Sequence, residues 1–235
     1  MNNYEKAIIA LNETRSHFIS TLSQIDYPLP SSFLLFRPVN IHTLHMLSNQ
    51  ALWFSHPSTF NDPFDSQKPK KIFKGDIDCS QLLNELRIRS LSTFDPHNML
   101  LWAHYGDGHK GISIEIELNL PLLAKHNIVL NKIIYSDAKM KTGYGDPKRI
   151  TEDLYLTKQS IWKHEQEYRL ITLAPYLTNS HLLISSDKFP FFRIKKIIFG
   201  LKTSEDNKTL IKKILPSMAY ETISRFSFMQ KISSN

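Results

Sequence analysis

Gly111-Ile112-Ser113-Ile114-Glu115-Ile116-Glu117-Leu118 is the stretch on which the fold turns. Its apolar side chains at 112, 114, 116 and 118 alternate with Ser113, Glu115 and Glu117, the period of two expected of a strand that buries one face. Working outward, 33–37, 51–55, 88–94, 127–135, 168–173, 181–185, 194–199 and 220–228 read as further strands. Helices are predicted over 41–49, with Leu44 and Leu47 inward, and over 80–86, 96–104, 150–164 and 204–215. Many strands with short helices between them, and no regular βαβ period, indicate an α+β fold rather than a doubly wound sheet. No internal repeat or low-complexity segment interrupts the pattern.

The first thirty residues carry Ile8, Leu11, Phe18, Leu22 and Ile25 at roughly helical spacing and stop at Pro28 and Pro30. They are expected to form an N-terminal helical extension, 1–30, on one α+β domain, 31–235. The single cysteine, Cys79, excludes an internal disulfide and any multi-cysteine zinc site. Apolar runs fall well short of the roughly 18 residues of a membrane span, and the N-terminus lacks a secretory pattern. A cytoplasmic protein without membrane association or metal is expected. The 29 Lys+Arg exceed the 22 Asp+Glu by 7. Most of that excess lies in residues 187–235, where ten basic groups face four acidic ones.

Three clusters are richer in polar and aromatic groups than folding requires. Phe60-Asn61-Asp62-Pro63-Phe64-Asp65 is a turn by its Asn, Asp and Pro, and it also offers Asn61 and Asp62 as polar groups beside a pocket. Leu101-Trp102-Ala103-His104-Tyr105-Gly106-Asp107-Gly108-His109-Lys110-Gly111 joins a helix to a strand. Its aromatic faces suit a flat ring and its glycines permit tight turns or close ligand approach. The histidines match no metal-ligand spacing. In Trp162-Lys163-His164-Glu165-Gln166-Glu167-Tyr168-Arg169, Glu167 and Arg169 share one strand face. A cross-strand ion pair explains them; so does a carboxylate facing a cleft, where it binds a ribose hydroxyl or stabilises developing positive charge.

The stretches FLLFRP (33–38), LWFSHPSTFNDPFD (52–65), LLWAHYGDGHKGISIEI (100–116), WKHEQEYR (162–169) and IKKIIFG (194–200) jointly resemble a widespread bacterial family described as a domain of unknown function. The resemblance covers most of 33–228. More remotely, a basic residue in the first strand, an aromatic segment midway and a Glu opening a late strand resemble the three-part NAD site of ADP-ribosyltransferases. That likeness implies a compact, split, mainly antiparallel sheet and NAD as candidate substrate. It implies that Arg37 contacts the NAD ribose or phosphates, that Tyr105 or Trp102 stacks on nicotinamide, and that Glu167, or alternatively Glu165, holds the nicotinamide ribose. Asn61, His104, His109 and Arg169 are the further residues assigned to NAD. The sequence departs from the better-known pattern in having Phe36 or Arg37 where many transferases have His, and Ser92 competes with the aromatic for the middle role.

The expected function is therefore NAD cleavage and modification of a macromolecular acceptor, protein or nucleic acid, as by a toxin, effector or defence component. The alternatives are a nucleic-acid-binding module that uses the basic C-terminal region, and a protein-interaction domain in which Trp53, Trp102 and Trp162 are structural. An RNA or DNA titration at two salt concentrations separates the first alternative: phosphate-dominated binding weakens steeply with salt, and salt-insensitive or absent binding rejects it.

Overall fold

The computed structural model describes residues 16, 19, 28–62, 65, 84–93, 95–137, 155–174, 181–186 and 190–224. Most of the predicted N-terminal helix, residues 66–78 and 138–149, and the end of the last predicted strand lie outside them. Among the described residues the strands are β1 (Phe33–Arg37), β2 (Ala51–Ser55), β3 (Leu86–Thr93), β4 (Ile112–Leu118), β5 (Val129–Lys132), β6 (Ile134–Tyr135), β7 (Thr157–Lys158), β8 (Glu167–Leu173), β9 (His181–Ser185), β10 (Phe192–Phe199) and β11 (Ala219–Thr222). The helices are α1 (Ile41–Ser48), α2 (Met99–His104), α3 (Leu120–Lys125) and α4 (Glu205–Ile214), with 3₁₀ segments at Pro57–Thr59 and Ser160–Glu165.

The alternating strand is the middle of one half of a nine-stranded sheet. β4 pairs antiparallel with β1 on one side and β10 on the other, and β10 carries β11 in parallel. Ile112, Ile114 and Ile116 are buried with Phe33, Leu35, Ile197 and Phe199 in the main core. Full burial of a side chain of this size contributes about 1.5–3 kcal/mol. The fold is thus α+β, as many strands with short helices between them imply, and its sheet is mainly antiparallel.

β3 organises the other half. β8 pairs with it from Leu86 to Ser92, which fills one edge, and β5 extends the sheet beyond β8. Two strands share the remaining edge. β1 pairs only at Phe33–Thr93 and Leu34–Ser92, whereas β2 pairs at Ser55–Ile88. A strand has only two edges, so β1 must peel away from β3 beyond Leu34, leaving Arg89, Ser90 and Leu91 without a neighbour on that edge. The sheet is open at this gap. Side chains alternate across it, with Ser90, Ser92 and Glu167 on one face and Arg37, Arg89 and Leu91 on the other.

Local chemistry sets the element ends. Asn40, Asn98, Asn119 and Ser204 cap the four helices by accepting from a backbone N–H three residues on. In α4 only Ile211 is buried, while Glu205 and Asp206 occupy the first turn and Lys212 and Lys213 the last, each sign at its favoured end of the helix dipole. Among the described residues no helix is long and apolar enough to cross a membrane.

The one large departure from expectation falls at 150–164. Residues 150–154 lie outside the described set, but beyond them the chain forms a π-type turn, then β7, then a 3₁₀ segment instead of a continuous helix. β7 pairs in parallel with β6, and its Lys158 is buried among carboxylates. Tertiary pairing and a buried charge override the helical spacing of Ile150, Leu154 and Ile161. The helix expected at 96–104 starts later, at Met99 behind its Asn98 cap, and the short helix α3 carried no expectation.

Gly111, at the head of β4, meets the backbone of β1 directly. A Cβ there would collide with the Arg37 carbonyl oxygen and lie 2.9 Å from that of Gly106. The glycine therefore serves close strand packing, not the ligand approach that its sequence context suggests. Gly111→Ala is expected to destabilise the protein by about 1–3 kcal/mol, the ordinary cost of overpacking, read as a lower urea midpoint at unchanged slope.

Candidate active site

Glu165 and Glu167 stand at a junction. Glu165 ends the 3₁₀ segment, Glu167 opens β8 opposite Ser92, and Gln166 between them is left-handed at φ 46°. Gln166 is tied to β3 by a side-chain bond from Thr93 Oγ1. Lys158 Nζ lies 2.6 Å from Glu165 Oε2, 3.3 Å from Glu167 Oε2 and 3.7 Å from Asp65 Oδ2. Arg169 donates from Nε to Glu167 Oε1 at 2.8 Å, from NH2 to Asp65 Oδ2 at 2.5 Å and from NH1 to the Tyr155 carbonyl at 2.7 Å. Three carboxylates and two cations thus interlock, all of them buried. Tyr105 adds its hydroxyl, donated to Glu165 Oε1 at 2.6 Å, and the Tyr135 hydroxyl accepts the Glu167 backbone N–H at 2.8 Å.

The charges follow from this wiring. Burial by itself raises the pKa of Glu167, but Arg169 and Lys158 more than offset it, helped by a hydrogen bond from Ser90, and the carboxyl is held down to about 2. Lys158 is raised above the ordinary lysine value because Glu167 and Glu165 outweigh its desolvation. The Tyr105 hydroxyl is pushed up by burial and by the adjacent Glu165, so it stays a donor.

The opposite charge pattern lies across the gap. Arg37 and Arg89 have no ion-pair partner among the described residues, and the Nε of each is buried without a hydrogen bond. Burial lowers the pKa of Arg37, and that of Arg89 is pushed well below its ordinary value by burial and then by Arg37. Both ends open into one cavity of about 300 Å³. Leu34–Arg37 of β1, Ile88–Ser92 of β3, Thr59–Asn61, Tyr105, Lys158 and the two glutamates line it. Its lining includes the stretch of β3 whose β1/β2 edge no strand covers. Among the described residues no group of three or more His, Cys, Asp or Glu is arranged to hold a metal.

Of the residues singled out from the sequence, Arg37, Asn61, Tyr105, Glu165 and Glu167 meet in this cavity, and so does Ser92. Trp102 does not: it is completely buried, donates Nε1–H to the Pro96 carbonyl at 2.8 Å and packs edge-on against Phe36, so no face of its ring is offered to a ligand. His109 lies behind it, stacked on Trp102 with ring centroids 6.1 Å apart. His104 is exposed beside Trp162 and His164, outside the cavity wall. Arg169, assigned to NAD from the sequence, does not line the cavity but bonds Glu167 within the same strand, whereas the ion-pair reading of the two from sequence is a cross-strand one.

Lys158, Arg89 and Ser90 carried no expectation. Arg89 and Ser90 were legible only as strand residues, and Lys158 sat in a stretch read as helix. Asp65 closes the FNDPFD motif and would have stood out as a second acidic group there, had an arginine partner been known.

The model of a family described as "Protein of unknown function (DUF2971)" matches residues 101–170. The matched segment runs from the helix before Tyr105 through Lys158 and both glutamates, and the match supports a domain-of-unknown-function family. Neither the curated proteins nor the solved structures contain a match to the chain.

The network dictates the response to acid. Because the folded pKa of Glu167 is depressed, its contribution to stability is full above the ordinary carboxylate value of 4.5 and is lost as pH falls toward about 2. Denaturant midpoints measured from pH 6 to pH 2.5 are expected to drop through that window, and more shallowly in Glu167→Gln. Arg169→Met strips the cation shared by Asp65 and Glu167 and is expected to cost about 3–5 kcal/mol at neutral pH.

Proposed function

We propose that the protein is an ADP-ribosyltransferase-like enzyme that cleaves NAD and passes ADP-ribose to a macromolecular acceptor. The observation that supports this reading is one cavity lined by both kinds of charge: the guanidiniums of Arg37 and Arg89, which have no ion-pair partner among the described residues, and the carboxylates of Glu165 and Glu167. NAD has the matching distribution, with a diphosphate in the middle and a positively charged nicotinamide riboside at one end. The guanidiniums suit the diphosphate, since paired N–H donors match phosphate oxygens. The carboxylates suit the riboside.

The chemistry follows from charge. The bond from nicotinamide nitrogen to C1′ breaks, its electron pair leaves with nicotinamide, and positive charge builds on C1′ and the ring oxygen. A fixed carboxylate beside that charge stabilises it more than water does, because it is already oriented and needs no reorganisation. The acceptor heteroatom then bonds to C1′ and releases its proton to a carboxylate or to water. The cavity, at about 300 Å³, lies at the small end of ligand pockets and suits the riboside half with its phosphates rather than the whole dinucleotide.

The nucleic-acid alternative has less support. In the basic C-terminal region Arg193 and Lys195 approach Glu117, Lys196 approaches Glu115 and Glu221, and Lys208 bonds Glu205. Four of the ten basic groups there are thus paired along a strand ladder and a helix face, which leaves them less free to meet phosphates.

Nicotinamide release from NAD by the purified protein, with and without cell lysate as acceptor source, tests the proposal. Turnover is expected to fall at least a hundredfold in Glu167→Gln and in Glu165→Gln. Arg89→Met is expected to weaken NAD binding at least tenfold in calorimetry. A folded wild-type protein that neither binds nor cleaves NAD overturns the reading.

A further inference from the structure

Glu165 is 3% exposed and Glu167 4% exposed, yet both point at one nitrogen. Since Lys158 Nζ is 2.6 Å from one Oε2 and 3.3 Å from the other, those two oxygens lie no more than about 6 Å apart. Two carboxylates that close, out of water, do not both remain ionised without a cation between them. The available cations are not equivalent. Arg169 is committed to Glu167 and Asp65, so among the described residues Lys158 is the one cation bonded to Glu165.

We propose that Lys158 is a positioning residue of the cleft, the shared counter-ion that keeps Glu165 and Glu167 ionised together and turned toward the same point. Its own position is over-determined. β7 is held in parallel on β6, Trp162 lies under the ammonium with its ring centroid 4.9 Å away, and three carboxylates surround it. The other titratable groups facing this point are the Tyr105 and Tyr135 hydroxyls, Arg169 from β8 and, across the cavity, Arg37 and Arg89. Outside the wall, His104 and His164 flank Trp162. None of these can replace Lys158 at Glu165: the tyrosines donate without charge, and the histidines lie beyond the indole.

The consequence for catalysis rests on the NAD reading, but the pairing itself does not, and the two are separable. Lys158→Met keeps the length of the side chain and removes the charge. Carboxyl-carbon NMR of the full chain is expected to gain one group titrating above pH 4.5 in this variant, and the gain should vanish in Lys158→Met/Glu165→Gln. Lys158→Arg should restore the wild-type titration. In NAD turnover, the acidic limb of the kcat profile should move up by at least one pH unit in Lys158→Met and return in Lys158→Arg, with KM changed less than threefold. A folded Lys158→Met without a new titrating carboxyl overturns the proposal, whatever its turnover. The new titration without turnover in any variant, wild type included, sinks the NAD reading and leaves the counter-ion role standing. If Lys158→Met does not fold, the wild-type Lys158 ammonium signal decides: protonation outlasting that of the exposed lysines supports the role, and earlier loss overturns it.

Discussion

Five buried charges hold this protein's cleft together. Asp65, Glu165 and Glu167 bring one more negative charge than Lys158 and Arg169 bring positive, in surroundings where an unpaired ion costs several kcal/mol. The network joins parts of the chain that are far apart in sequence: the turn after β2, the β7 strand, the 3₁₀ segment and the start of β8. A hydrophobic cluster of similar volume would be at least as stabilising. What the ionic version supplies is orientation, because each carboxylate has directional partners and so a single position.

That orientation matters because the sheet is open where the network sits. β3 needs two partners on one edge, and neither β1 nor β2 runs its full length. The uncovered stretch exposes the side chains of both faces to one space, which is why groups that leave the sheet in opposite directions share a cavity. Arg37 and Arg89 come from one face and Ser90 and Glu167 from the other. A continuous sheet would separate them by its own thickness.

The fold was far more legible in the sequence than the site. Alternation located β4, and apolar runs bounded by Gly, Pro or Asn located most other strands, since one buried face leaves a pattern in the chain itself. Helical spacing of apolar residues did the same for α1 and α4. The site divides differently. Glu165, Glu167, Tyr105 and Asn61 stood out because polar groups interleaved with aromatics exceed what packing needs, and Arg37 only through the resemblance to a three-part NAD site. Lys158 and Arg89 did not, because each matters only through partners brought by tertiary structure: three carboxylates for one, another arginine for the other. Trp102 misled for the reverse reason. An indole beside glycines suits a ligand platform and a core equally, and its burial under Phe36 and His109 is a property of the assembled sheet.

The sequence left Glu165 and Glu167 as alternatives, and their surroundings divide the work between them. Glu167 is bonded by Arg169 on both oxygens, by Lys158 and by Ser90, and is held down to about 2. A carboxylate so saturated is a poor proton acceptor and a good fixed charge, the property required beside a cationic sugar. Glu165 is bonded only by Lys158 and Tyr105 among the described residues, and it ends a 3₁₀ segment followed by the left-handed Gln166. On the NAD reading, Glu167 is then the electrostatic partner of the ribose, and Glu165, with fewer bonds and only one cationic partner among the described residues, is the group placed to receive the acceptor's proton. The two carboxylates need not compete for one role, because the cations behind them differ.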